Sequence, residues 1–96
     1  MLDASLIARR LAQIEAVRAH AADLIVRVHR ETMKARLQQA VRHLDEAEGW
    51  LNNKDFNTQP LIVKMVDAEV RVAMGITAGV QGTLDTYGPD AEWMNR

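Results

Sequence analysis

Between Leu61 and Val80, nine apolar residues wrap most of the circumference of a helix. Leu61, Ile62, Met65, Val66, Val70, Val72, Ala73, Ile76 and Val80 cover about 240° of a wheel at 100° per residue. Only Lys64, Asp67 and Arg71 form a solvated strip, with Asp67 and Arg71 spaced for an i,i+4 pair. An arc that wide exceeds what one neighbouring helix covers, so this segment demands more than one partner. Gly75, Ala78, Gly79 and Gly82 place small residues along its second half. Glycine inside a helix costs about 1 kcal/mol in propensity, which close approach of another helix can offset.

The segment before it is equally helical in pattern. From Asp3 to Leu51 there is no Pro and the only Gly is Gly49, and Asp3 or Ser5 can cap the start. Leu6, Ile7, Leu11, Ile14, Val17, Ala21, Leu24, Ile25 and Val28 form one stripe; Met33, Leu37, Ala40, Val41, Leu44, Ala47 and Leu51 form another. The stripes centre near about 300° and about 80°, so the apolar face swings between Val28 and Met33. The intervening "VRVHRETMKAR" contains no Gly, Pro or Asn. Local chemistry therefore favours one helix of roughly 45 residues, about 70 Å long, over a break at "HRET" with Thr32 as cap.

"GWLNNKDFNTQP" reads as the turn: Gly49, Asn52 and Asn53 tolerate left-handed backbone, and Trp50 and Phe56 can fold over the junction. Thr58 or Asn57 can cap the second helix, Pro60 suits its first turn, and its end falls near Gly82 or Leu84. The pattern predicts an all-α fold: a helical hairpin over residues 1–86, long helix first and shorter helix second, followed by an aromatic-containing tail over residues 87–96. Because the short helix cannot cover the long one, the hairpin is expected to assemble as a homodimer, a four-helix-type bundle.

Composition narrows the chemistry. A chain of 96 residues holds one core at most. No cysteine occurs, so disulfides and thiolate ligands or nucleophiles are out of reach, and Ser5 is the only serine, leaving no Ser-His-Asp arrangement. No glycine-rich phosphate loop follows a strand pattern. The start "MLDASLIARR" lacks the pattern of a secretory signal, and Lys64, Asp67, Glu69 and Arg71 interrupt the most apolar stretch, which argues against a membrane span. A cytoplasmic location is the expectation. Residues 1–43 carry eight Lys/Arg against four acids, and residues 44–96 carry four against nine, so the halves of the chain attract each other.

One carboxylate stands out. Glu69 projects near about 60°, inside the apolar arc, while Arg18, His29, Arg36 and His43 fall in a band near 0° on the preceding segment. A buried carboxylate needs a cation, and the expected partners are Arg36 or His29, in an ion pair that fixes register between helices or subunits. If that pair were fully buried, removing one member would cost about 3–5 kcal/mol, several times the effect expected at Asp67. A metal site built from His29, His43 and Glu69 is the weaker alternative, because no histidine follows an acid by three residues as helix-bundle carboxylate centres require. A second alternative is nucleic-acid binding through the basic first helix, drawing on Arg9, Arg10, Arg27, Arg30, Lys34 and Arg42. Arg27, Arg30 and Lys34 form a stripe, diluted by Asp23 and Glu31 and without a helix-turn-helix pattern. The tail "LDTYGPDAEWMNR" carries Tyr87, Trp93 and Met94, side chains suited to anchoring in a partner's groove. Together these features predict a non-catalytic interaction protein that needs no cofactor, self-associates, binds another protein and engages no membrane, with nucleic acid the less favoured partner. Gly49 precedes Trp50, and Ala91 stands four residues after Tyr87, so the Trp-x-Gly and Tyr-x-x-x-acid patterns of small secreted helical hairpins are not met.

Overall fold

The computed structural model describes residues 4–55 and 59–92. Within them the chain forms an all-helical bundle: α1 (Ala4–Arg27), α2 (Glu31–Leu51) and α3 (Pro60–Tyr87). The directions alternate. Arg18 of α1 meets Asp45 and Glu48 of α2, His43 of α2 meets Glu69 of α3, and Arg10 and His20 of α1 meet Asp67 and Gln81 of α3. Hence α1 and α3 run parallel, with α2 antiparallel between them. The whole spans 45 × 23 × 17 Å, close to the roughly 42 Å expected of a helix the length of α3.

The continuous first helix is therefore incorrect: the chain breaks at Val28–Arg30 and the expected two-helix hairpin has three helices. The swing of the apolar stripe explains why. A straight helix would turn the two stripes toward opposite sides, whereas reversal at the break buries both on one core. Nothing local caps the break. Arg30 sits in extended conformation at the start of α2 (φ −84°, ψ 138°) without a side-chain capping bond, and Thr32 lies inside the helix. The stabilising groups come from far along the chain. The His29 amide donates to Pro89 O at 2.8 Å, Arg30 Nε donates to Asp90 O at 3.0 Å, and His29 Nδ1 meets Asp90 Oδ1 at 2.9 Å. Arg30 also approaches Glu92 at 3.8 Å. The segment after α3 thus returns to the α1–α2 junction and closes it.

The boundaries of α2 and α3 also differ from the expected ones. Gly49 is helical, and Asn52 ends α2 in right-handed conformation (φ −83°, ψ −6°), its amide bonding Glu48 O at 3.0 Å; no described non-glycine residue has positive φ. The glycines of α3 do not stop it either. It continues to Tyr87 and ends at Gly88, which adopts φ 87° and donates to Leu84 O at 2.8 Å, with Pro89 preventing further propagation. Gln59, not Thr58 or Asn57, is the residue preceding α3; those two, like Asp3 and Phe56, lie outside the described residues, and Ser5 is already within α1.

The core is a single cluster. Ile14, Ala21, Leu24 and Val28 come from α1 and its end, Met33, Leu37, Ala40, Leu44, Ala47 and Leu51 from α2, and Ile62, Val66, Val70, Ala73, Ile76, Val80 and Leu84 from α3. Fully buried alanines at 21, 40, 47 and 73 permit close helix approach. Trp50 and Leu11 pack on its margin. No described helix is long and apolar enough to cross a membrane.

Candidate functional site: the outer face of α3 and its flanking ion pairs

The wide apolar arc of α3 resolves into two faces. Ile62, Val66, Val70, Ala73, Ile76, Val80 and Leu84 face the core, while Leu61, Met65 and Val72 remain 67, 38 and 45% exposed. At helical spacing these three share a stripe with Ala68, Gly75, Gly79 and Gly82. A Cβ placed on Gly75 or Gly82 would meet nothing within 4 Å. The chain's own helices therefore supply no close approach to offset the propensity lost at these two glycines. Exposed Lys64 and Arg71 border this stripe along one edge.

Ion pairs border that stripe and tie α3 to its neighbours. On one side His43 Nδ1 of α2 donates to Glu69 Oε2 at 2.5 Å. The two side chains are 29 and 31% exposed, so the pair stands at the mouth of a cleft of about 380 Å³, lined by Gln39, Arg42, His43, Glu46 and Glu69. The partner of Glu69 is thus His43, not Arg36 or His29. His29 is 61% exposed and bound to Asp90 at the other end of the bundle. Arg36, on α2, donates to Gln39 Oε1 at 3.2 Å. A helical wheel places His29, Arg36 and His43 in one band, but the break between His29 and α2 removes His29 from it.

On the opposite side Arg10 of α1 grips Asp67 through two bonds of 3.1 Å each, Nε to Oδ1 and Nη2 to Oδ2. Asp67 therefore serves α1, not the expected Arg71. A two-pronged guanidinium–carboxylate pair fixes both position and orientation. Further along, His20 Nε2 meets Gln81 Oε1 at 3.0 Å, and Gln81 Nε2 donates to Asp85 at 2.8 Å.

The densest charge cluster was missed by sequence reasoning. Arg18 of α1 contacts Glu15 on its own helix and reaches Asp45 and Glu48 of α2, each at 2.9 Å. Partial burial disfavours the charged guanidinium, but the hydrogen bonds it donates to Glu48 and Asp45, with the charges of Glu48 and Glu15, outweigh it and raise its pKa above the ordinary arginine value. The available signal was Glu15-x-x-Arg18 together with the opposite charge of the two halves of the chain; the fold that joins them was not visible.

Of the remaining candidates, Tyr87 ends α3 and is 73% exposed, while Trp93 and Met94 lie outside the described residues. His29, His43 and Glu69 do not converge, and among the described residues no three His, Asp or Glu side chains are grouped to hold a metal ion. Arg27, Arg30 and Lys34 are engaged with Asp23, Asp90, Glu92 and Glu31. No protein-family model matches the chain, and neither curated proteins nor solved structures give a match.

Proposed function

We propose that this protein is a non-catalytic helical assembly module that self-associates through the outer face of α3 and binds another protein through its C-terminal end. One observation carries the reading. Leu61, Met65 and Val72 stand exposed in a line with Gly75 and Gly82, whose open sides face nothing in the same chain. Burying these three side chains contributes about 25 cal/mol for each Å² of apolar surface, counted twice in a symmetric dimer. Behind the stripe, Arg10–Asp67 and His43–Glu69 join α3 to α1 and α2, which suits a preformed docking surface. The exposed ring of Tyr87, at the point where the chain leaves α3, supports a separate partner site.

Val72→Glu tests self-association. It places two carboxylates in the contact while leaving the core untouched, because Val72 is 45% exposed in the single chain. Sedimentation should give the monomer mass with unchanged helical circular dichroism. A variant that sediments with the unmodified protein would refute the reading.

A further inference from the structure

We infer that α3 pairs with α3 of a second copy in antiparallel orientation, about a two-fold axis passing beside Ala73 and Met74. This rests on the self-association proposed above and assigns its geometry. The outer positions of α3 are Leu61, Met65, Ala68, Val72, Gly75, Gly79, Gly82 and Thr86, alternating by four and three residues over its length. That spacing is the seam of a two-helix coiled coil. Bulk is divided unevenly along it. Leu61, Met65 and Val72 fill the first half; three glycines occupy the second.

Antiparallel pairing sets each large residue against a small one. Val72 meets Gly75 of the second copy, Ala68 meets Gly79, Met65 meets Gly82 and Leu61 meets Thr86. The helices then keep one separation along their length, and both ends of the contact are equivalent. Parallel pairing would stack Leu61 on Leu61 and Met65 on Met65 at one end and glycine on glycine at the other, so the helices could not keep one separation along their length. Gly75 and Gly82 have room for this approach, since the space beyond each is empty.

Charge agrees with shape. Once Arg10 has taken Asp67, Lys64, Arg71 and Asp85 remain exposed along one edge of α3. Arg71 comes within about five residues of its own counterpart, roughly 8 Å along the axis, so the matched charges are Lys64 and Asp85. In a two-fold antiparallel pair the same edge of both helices meets. Lys64 then lies alongside Asp85 of the second copy, within about two residues, or roughly 3 Å along the axis. In a parallel pair these charges are separated by most of the helix, about 30 Å. On the other edge Glu69 is already held by His43.

The absence of native cysteine makes the register directly measurable. Met65→Cys and Gly82→Cys are prepared as separate single-cysteine proteins and oxidised alone and mixed. Cross-linked dimer should form in the mixture and stay at background in either protein alone. Efficient self-cross-linking of Gly82→Cys would overturn the antiparallel assignment while leaving self-association standing. A monomeric unmodified protein by sedimentation would overturn both. As an independent arm, Lys64→Glu should weaken dimerisation by no more than about 30-fold, the limit of two exposed ion pairs, and adding Asp85→Lys should restore it. Failure of the second change to restore what the first removes contradicts the proposed edge.

Discussion

Replacing Arg18 with alanine removes the cation shared by Glu15, Asp45 and Glu48, and so probes how α1 is held on α2. Each contact is partly solvated: the Arg18 side chain is 25% exposed, and Asp45 and Glu48 are 61 and 36% exposed. Exposed pairs contribute about 0.2–1 kcal/mol each, and pairs sharing one cation do not add fully. The contact with Glu15 is within one helix and does little to dock α1. The two links to α2, together with lost packing of the arginine stem and the repulsion left between Asp45 and Glu48, amount to about 1.5 kcal/mol. For a chain of 96 residues, with an unfolding entropy near 0.2 kcal/mol/K, that lowers Tm by about 7 °C. Differential scanning calorimetry in low salt and in 1 M NaCl measures it. High salt should shrink the difference, since exposed charges are screened beyond a few ångströms. Arg18→Ala with Glu48→Gln should recover part of the loss. A loss below about 0.3 kcal/mol, or one unaffected by salt, would show that the cluster does not dock α1.

Leu44→Ala should destabilise the protein by about 3 kcal/mol, lowering Tm by about 15 °C, because Leu44 is fully buried at the centre of α2; a loss under about 1 kcal/mol in chemical denaturation would place it outside the core. Glu69→Ala and Asp67→Ala should each cost roughly 0.5–1 kcal/mol and differ little, since both carboxylates are partly exposed and paired. A several-fold larger effect at Glu69 would mean that its pair with His43 is desolvated in the assembled protein.

The helices themselves were legible because their apolar periodicity is strong. Every residue of the second stripe, from Met33 to Leu51, is buried except half-buried Val41. The break at Val28–Arg30 was legible only as a swing of the stripe. Its closing groups, Pro89 and Asp90, lie about sixty residues away, and no local rule announces them. The end of α3 was misplaced for a related reason. Glycine at 82 reads as a stop, but only Gly88 combines positive φ with a following proline. Glu69 was recognised as a carboxylate needing a cation, yet a wheel gives direction around a helix and not height along its neighbour. His43, one helical repeat beyond Arg36, holds the matching height.

The claim on which the functional reading depends is that the outer face of α3 is completed by a second copy. Sedimentation equilibrium of the unmodified chain across the micromolar range addresses it without any substitution. The account predicts a reversible dimer, with weight-average mass rising toward twice 10.8 kDa as concentration increases. A mass fixed at 10.8 kDa throughout, for a fully helical and cooperatively melting protein, would contradict it.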